Sequence, residues 1–279
     1  MPDLSVDLDR YRIAPGDAVD LASRDTRDTQ GLDGDTDEEA AKEQEKANID
    51  QMQDLQERLY AESEQSVLFV LQAMDTAGKD SSIRELTDGL NPQGCRVWSF
   101  KAPSTEERAH DFLWRVHHRA PKKGMIAIFN RSHYEDVLIA KVKSLAPEAL
   151  IEKRYGHINS FEKLLADHGT RIVKVMLHVS KEYQLERLKR RLERPDKHWK
   201  FNPGDLAERA RWDDYMRAYE TAIQRCSTEH APWYVVPAEH RWFRDLALTQ
   251  LLRETLEDMD PQYPAPDFDP ADYPPDSLV

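Results

Sequence analysis

A short apolar run that leads into a glycine–lysine loop is the feature of this chain that most constrains its fold. Residues 67–82 read VLFVLQAMDTAGKDSS, so a strand-like run precedes Gly78 and Lys79, and a helix-forming segment follows them. A tight turn at a helix N-terminus aims backbone N–H groups and the positive end of the helix dipole at one point, where a polyphosphate group can sit. Lys79 adds an ammonium group for the phosphate oxygens. The segment therefore predicts the strand, loop and helix of a P-loop fold. Its predicted phosphate-binding residues are Ala77, Gly78, Lys79, Asp80 and Ser81.

The loop departs from the usual pattern G-x-x-x-x-G-K-[ST]. Ala73 stands at the first glycine position, Asp80 stands at the Ser/Thr position, and Asp75 lies inside the loop. A carboxylate in a phosphate site is repulsive unless a metal ion lies between the two. Asp75 therefore predicts Mg²⁺ held from within the loop, in place of the missing hydroxyl ligand.

Length, cysteine content and the N-terminal residues indicate the class of protein. A chain of 279 residues can form one α/β domain with extensions. Its two cysteines, Cys95 and Cys226, cannot build a disulfide framework and fit a reducing cytosol. The N-terminus MPDLSVDLDRY lacks the basic start and apolar stretch of a secretory signal, and the run 67–71 is too short to cross a bilayer. We therefore expect a cytoplasmic protein with no membrane partner.

The net charge of −13 is distributed unevenly along the chain. Residues 1–64 hold 19 acidic and 7 basic residues, and residues 257–279 hold 7 acidic residues and no Lys or Arg. Residues 65–256 hold 32 basic and 26 acidic residues, a net charge of +6. A locally positive field raises the encounter rate with a phosphate-rich ligand. An ordinary solvated surface is the alternative interpretation.

Strand-like and helix-forming segments alternate along the middle of the chain, which favours a parallel sheet with helices on both faces and a ligand site at the carboxyl edge. The candidate strands are residues 67–71, 96–100, 125–129, 172–179 and 233–236. A helix over 38–60 precedes them and could pack on the core or on a partner subunit. We expect an acidic, extended or partly disordered arm at 1–36, a P-loop domain at 37–258 and a Pro-rich acidic tail at 259–279 that cannot be helical.

The segment NRSHYED after the third candidate strand is the second chemical element. Many P-loop proteins have a metal-ligating Asp where this strand ends, but Asn130 stands there, so the acid must be Glu135 or Asp136. We favour Asp136, because a helix beginning near Ser132 would return its side chain towards the strand end. Arg131 is suited to bind phosphoryl oxygens bidentately, with a surface ion pair as the alternative. Glu135 is equally consistent with an exposed helix residue.

A basic segment follows the fourth candidate strand. Arg187, Arg191 and Arg194 fall on one helical face, and Lys197 and Lys200 follow in a proline-containing loop. A basic helical hairpin at this place is typical of a kinase lid, here about 181–210, which closes over the transferring phosphate and excludes water. A solvated helix neutralised by its own glutamates is the alternative.

The segments QAMDTAGKD, FNRSHYEDV and DKHWKFNPGD together resemble the polyphosphate kinase 2 family over about residues 50–260. The resemblance implies a thymidylate-kinase-like P-loop kinase, an α/β fold of three layers with a parallel five-stranded sheet and a helical lid. It also implies Mg²⁺, with Mn²⁺ as an alternative, and phosphoryl transfer between inorganic polyphosphate and AMP and/or ADP, which forms ADP and/or ATP.

Site residues are carried over from the resemblance by position. Asp75 and Asp136 would hold the metal, while Lys79 and Arg131 would bind the reacting phosphates, and these four are the predicted catalytic residues. The predicted polyphosphate contacts in the lid are Arg187, Arg191 and Lys200. Family members use AMP, ADP or both as acceptor.

Two other functions fit parts of the sequence. An ATP-dependent nucleoside monophosphate kinase would share the fold, but the loop with Ala73, Asp75 and Asp80 is poor for a standard ATP-binding cradle. A non-catalytic nucleotide or polyphosphate sensor would have little need of two carboxylates, Lys79 and Arg131 together. We expect no nucleic-acid partner, and we expect a homo-oligomer.

Overall fold

The protein is described by a computed structural model over residues 4–273, and its centre is a largely parallel sheet. The strands, in chain order, are β1 Arg12–Ile13, β2 Ser66–Ala73, β3 Cys95–Ser99, β4 Ile126–Asn130, β5 Thr170–His178 and β6 Trp233–Pro237. Their order across the sheet is β1-β6-β5-β2-β4-β3, and β1 alone among them pairs antiparallel, with β6. The parallel sheet of strands β2 to β6 confirms the predicted fold class, and β1 is an addition that the sequence did not indicate.

Strand β2 occupies the middle of the sheet. All eight of its residues are buried, as expected for an apolar run covered on both faces. Leu71 pairs with Asn130 of β4, and the Leu71 carbonyl accepts a hydrogen bond of 3.0 Å from the Arg131 N–H. The end of β2 and the start of the NRSHYED segment therefore leave the sheet side by side.

Helices cover both faces of this sheet. The longer ones are α1 Glu38–Glu62, α2 Lys79–Thr87, α6 Glu148–Asp167, α7 Lys181–Glu193, α8 Gly204–Ala210, α9 Trp212–Cys226 and α10 Arg241–Met259. The short ones are α3 Thr105–Ala109, α4 Trp114–His117 and α5 Ile139–Val142, with 3₁₀ turns at His133–Asp136, Pro195–Lys200 and Pro270–Asp272. Helices α1, α2 and α10 pack together, and α5, α6 and α9 form a second group. Right-handed crossovers place these groups on opposite faces, which gives three layers.

The N-terminal arm is part of the core, and in this it differs from the partly disordered arm that we expected. Val6, Tyr11 and Leu21 are buried, and the Val6 N–H donates to Gln250 Oε1 at 2.8 Å. Strand β1 covers the free edge of β6, with the Ile13 carbonyl accepting a 2.6 Å hydrogen bond from Ser227 Oγ. Covering the edge satisfies backbone groups that would otherwise be exposed to other chains.

The helix predicted at 38–60 forms as α1 and packs along α10. Its buried positions include Met52 and Leu59, so this face serves the core of the same chain. The expected homo-oligomer stays a prediction. In the tail, the expectation that no helix forms is wrong for one 3₁₀ turn, Pro270–Asp272, where Pro270 takes the first position and needs no N–H partner. Pro274 and Pro275 lie outside the described residues. Among the described residues, no helix is long and apolar enough to cross a membrane.

Candidate active site

A cleft of about 1390 Å³ opens at the carboxyl edge of the parallel strands. It is the place where this sheet topology is expected to bind ligands. The predicted residues that line it are Asp75, Gly78, Lys79, Asp80, Ser81, Arg131, Asp136, Arg187, Arg191 and Lys200. Ala77, the remaining predicted residue, belongs to the loop but is buried at 1% exposure. The fold therefore brings together side chains from four separate stretches of the chain.

The phosphate loop presents free backbone donors to this cleft. Gly78 precedes α2 with φ of 106°, a conformation that glycine adopts without strain. In the described chain, no protein acceptor pairs with the N–H groups of residues 78–81. Thr76 has φ of 71°, which is costly for a β-branched residue and typical of a functional loop. A row of unpaired N–H groups at the start of a helix can bind an anion.

Lys79 folds back over the loop that carries it. Its Nζ donates to the carbonyl oxygen of Ala73 at 2.8 Å and, more weakly, to that of Met74 at 3.4 Å. Burial, and then the nearby charge of Arg131, lowers the pKa of Lys79 to about 8, although Asp75 acts in the opposite direction. An anionic phosphate would stabilise the charged form of this amine, so Lys79 is poised to gain a partner.

Arg131 bridges two carboxylates at the mouth of the loop. Its Nη2 lies 2.7 Å from Asp75 Oδ1, and its Nη1 lies 3.2 Å from Glu135 Oε2. Burial alone would lower the pKa of Arg131, but Glu135 and Asp75 raise it above its ordinary value. The backbone of Arg131 has φ of 61°, in the left-handed region that non-glycine residues rarely adopt. The sequence did not indicate that Glu135 is a partner of Arg131.

Asp136 faces a different set of cations from Glu135. It lies 3.7 Å from Arg115 and 3.6 Å from Arg154, and burial raises its pKa although both arginines oppose that rise. The segment His133–Asp136 is a 3₁₀ turn, in which successive side chains point about 120° apart. Glu135 and Asp136 therefore diverge, whereas our prediction treated them as alternatives for one position.

Asp80 contributes its backbone rather than a free carboxylate. Its Oδ1 accepts a 2.8 Å hydrogen bond from Asn130 Nδ2. The two residues that replace the usual P-loop Ser/Thr and the usual strand-end Asp are thus bonded to each other.

A buried polar cluster supports the NRSHYED segment from behind. His133, Glu162 and Lys174 are all fully buried. Glu162 accepts from Tyr134 at 2.9 Å and lies 3.2 Å from His133 Nε2, while Lys174 pairs with its other oxygen. Burial alone would raise the pKa of Glu162, but Lys174 and His133 hold it below its ordinary value. His133 is therefore a structural residue behind the site, and not a phosphate ligand.

The basic segment at 181–210 forms α7, the 3₁₀ turn Pro195–Lys200 and α8 above the loop. Gln184 of α7 donates to the Asp75 carbonyl at 3.1 Å, which ties this hairpin to the phosphate loop. Burial, and then the neighbouring Arg190, Arg241 and Arg191, lowers the pKa of Arg187, although Tyr183 opposes this. The neighbouring arginines add to the effect of burial, so Arg187 lies in a cationic part of the cleft. The closing of the hairpin as a lid stays a prediction.

Several cations of the cleft were not recognised from the sequence. They are Arg84, Lys101, Arg108, Arg115, Arg154, Arg190 and Arg241. Arg190 belongs to the basic segment of α7, but the others come from separate parts of the chain, so no local repeat or motif indicates that the fold brings them to one cavity. Arg115 is the most buried of those near Asp136, and it also donates to the Lys101 carbonyl at 2.8 Å.

The residues present fit a divalent metal that binds together with phosphate. Over residues 4–273, no cluster of three His, Cys, Asp or Glu side chains could hold a metal by itself. Asp75 and Glu135 nevertheless place carboxylate oxygens around Arg131. Mg²⁺ usually keeps water ligands and binds through one or two carboxylates plus the phosphates of the substrate. These residues therefore fit such a site better than a pre-formed protein cage.

Comparisons with known proteins agree with this arrangement. The family described as Polyphosphate kinase 2 (PPK2) matches residues 35–264. The AMP/ADP-polyphosphate phosphotransferase of Meiothermus ruber is 49% identical over 93% of this chain and 97% of its own length. The ADP-polyphosphate phosphotransferase of Rhodopseudomonas palustris is 41% identical over 94% of this chain and 93% of its own length. A crystal structure of polyphosphate kinase 2 from Arthrobacter aurescens superposes with a TM-score of 0.90 at 45% identity, covering 94% of this chain and 93% of that one.

Proposed function

The chain belongs to the polyphosphate kinase 2 family, and we propose that it transfers the terminal phosphoryl group of inorganic polyphosphate to AMP or ADP. The observation that carries this proposal is the meeting of Lys79, Asp75 and Arg131 at the free N–H groups of the loop, beneath a cationic hairpin. That constellation suits two polyanions that must approach each other.

Repulsion between donor and acceptor is the main obstacle to such a reaction. Fixed positive charges of the protein reduce this repulsion. The loop N–H groups and Lys79 bind the reacting phosphate, and Arg131 stabilises charge on its equatorial oxygens. Arg187, Arg191 and Lys200 hold the polyphosphate chain from above. No covalent intermediate is needed, because positioning and charge neutralisation suffice for in-line transfer.

Phosphotransferases of this family generally need a divalent metal, and we propose Mg²⁺ here, with Mn²⁺ as an alternative. Asp75 and Asp136 are the carboxylates predicted to hold it, and Glu135 is a further candidate because it shares Arg131 with Asp75. The metal would neutralise phosphate charge and align the reacting groups. A bound phosphate would offer Arg131 a further partner besides Asp75.

Both AMP and ADP are proposed as acceptors. The M. ruber relative, which is named for both, shares half of its residues with this chain over nearly the full length of each. The R. palustris relative is named for ADP alone. The proposal that AMP is an acceptor therefore rests on the first of these relatives and on the sequence QAMDTAGKD of the loop.

The decisive experiment separates the phosphoryl donor from the acceptor. The protein is mixed with Mg²⁺ and long-chain polyphosphate in the absence of ATP, separately with AMP and with ADP, and nucleotides are resolved by anion-exchange chromatography. We expect ADP from AMP and ATP from ADP. Product from ATP plus AMP but none from polyphosphate would favour a nucleoside monophosphate kinase. Tight Mg²⁺-linked binding without any product would favour a sensor.

A further inference from the structure

We infer that Arg244 is a positioning residue of the phosphate loop, an inference that rests on the proposed function. Arg244 lies in α10, far from the loop in sequence, and is 1% exposed. A buried guanidinium is costly unless its donors are used. The partners of Arg244 therefore indicate what it does.

One edge of the guanidinium is fixed by the next residue in the chain. Arg244 Nε donates to Asp245 Oδ1 at 2.8 Å, and Nη2 donates to Oδ2 at 2.8 Å. This two-point contact sets the plane of the guanidinium and offsets its charge. The remaining donor, Nη1, is left to face the loop.

The opposite edge lies against the turn that precedes α2. A Cβ atom added to Gly78 would meet Arg244 Nη1 at 2.2 Å and Cζ at 3.2 Å, so the guanidinium packs directly on the Gly78 backbone. Nη2 also donates to Ser81 Oγ at 3.3 Å, and Ser81 Oγ donates to the Gly78 carbonyl at 2.8 Å. Arg244 thus packs against the loop at Gly78 and is hydrogen-bonded to it at Ser81.

These two residues bound the row of free N–H groups that is proposed to bind phosphate. Fixing both ends keeps the donors in place before the substrate arrives, which is how a preorganised site stabilises charge. Arg244 is not among the residues that line the cleft, so it acts through the loop. A second, weaker contact joins the same two segments, since Ser82 Oγ donates to Asp245 Oδ1 at 3.5 Å.

The first test compares Arg244→Gln with Arg253→Gln. Arg253 lies on the same helix and is likewise paired with acidic neighbours, Glu254 and Glu257, but its hydrogen bonds and ion pairs in the described structure include none to the loop. For Arg244→Gln we expect weaker polyphosphate binding by calorimetry without nucleotide, and a KM for polyphosphate raised by about tenfold to a hundredfold, as is typical when an outer partner of a ligand site is lost. The KM for the nucleotide should change less. Arg253→Gln should bind as wild type. A purely structural Arg244 would lower Tm and leave polyphosphate affinity unchanged, and that result would overturn the inference.

A double-mutant cycle with Ser81→Ala tests the route of the effect. If Arg244 acts through Ser81, the two losses in polyphosphate affinity should be less than multiplicative, because one contact serves both. Independent, fully multiplicative losses would overturn the inference. Should Arg244→Gln fail to fold, Arg244→Lys takes its place, since lysine cannot hold Asp245 and Ser81 in one plane. Unchanged affinity in Arg244→Lys would then count against the inference. Absence of transfer by the wild-type protein would refute the proposed function, whereas the calorimetric comparison would still test Arg244.

Discussion

Arg131 Nη2 lies 2.7 Å from Asp75 Oδ1, so the residue proposed to bind phosphate and the residue proposed to bind metal are each other's partner. Both side chains are about one-third exposed, which leaves them open to ligands from the cleft. The pair keeps two groups of opposite charge in place while no ligand is bound. A bound phosphate would offer Arg131, and a bound metal would offer Asp75, a further partner of opposite charge.

Asp75→Asn should abolish most transfer without unfolding the protein. The amide keeps the size of the side chain but loses the charge that is proposed to bind metal and that balances Arg131. We expect a fall in kcat/KM of about 10²-fold to 10³-fold, the range for removal of one preorganised charge-stabilising group. Asp54→Asn, an exposed change in α1, is the matched control and should be neutral. Near-normal turnover in Asp75→Asn would remove this residue from the mechanism.

The activity of the free enzyme should depend on Lys79 at high pH. The pKa of Lys79 is lowered to about 8, so its cation is present below that pH and is lost as the pH rises through it. Because kcat/KM reports ionisations of the free enzyme, kcat/KM for polyphosphate should decline above about pH 8 at constant ionic strength. Lys79→Arg, which stays charged, should have lower activity but no decline in this window. An identical decline in that variant would assign the ionisation to another group.

Glu135→Gln and Asp136→Asn should separate the two acidic residues of the 3₁₀ turn. Mn²⁺ binding in the presence of polyphosphate can be followed by electron paramagnetic resonance, apart from turnover. If Asp136 holds the metal as predicted from the sequence, Asp136→Asn should weaken Mn²⁺ binding about tenfold or more. Glu135→Gln should then act chiefly through Arg131 and affect transfer more than metal binding. Weaker Mn²⁺ binding in Glu135→Gln than in Asp136→Asn would instead identify Glu135 as the metal ligand.

The hairpin cations should govern the salt dependence of polyphosphate binding. Cations that contact a polyanion release its counterions, so log affinity falls linearly with log salt. We expect Arg187→Gln, Arg191→Gln and Lys200→Gln each to lower the affinity and reduce the slope. Arg217→Gln, an exposed change in α9 outside the cleft, should alter neither. A variant that carries all three substitutions should show the largest reduction. If its slope equals that of the wild type, the hairpin does not bind polyphosphate.

The sheet could be predicted from the sequence because its strands are continuous apolar runs. Residues 67–71, for example, are all fully buried in β2. The position of the N-terminal arm could not be predicted, because Val6, Tyr11 and Ile13 are scattered among acidic residues. They are buried by β6 and α10, which come much later in the chain. Their apolar character is too sparse to form a periodic pattern.

In the site, too, residues in local sequence patterns could be predicted and residues brought in from distant parts of the chain could not. Asp75, Lys79 and Arg131 stand in recognisable local patterns, and the structure brings all three together. Arg244 contacts Ser81 across 163 residues of sequence, and no local spacing reports such a contact. Glu135 and Asp136 were ambiguous for another reason: the direction of each side chain depends on whether the turn is α or 3₁₀.

Fixed cations and a metal are proposed to bring polyphosphate and a nucleotide together for direct phosphoryl transfer. ³¹P nuclear magnetic resonance of one mixture, protein with Mg²⁺, polyphosphate and AMP without ATP, follows donor and acceptor at once. We predict that the internal polyphosphate signal falls by one phosphate for each β-phosphate of ADP that forms, because every transfer leaves a new terminal phosphate on the shortened chain. Lys79→Ala should slow this about a hundredfold, or about 3 kcal/mol, while remaining folded. Formation of ADP at the wild-type rate by Lys79→Ala, or no loss of polyphosphate with the wild-type protein, would contradict the claim.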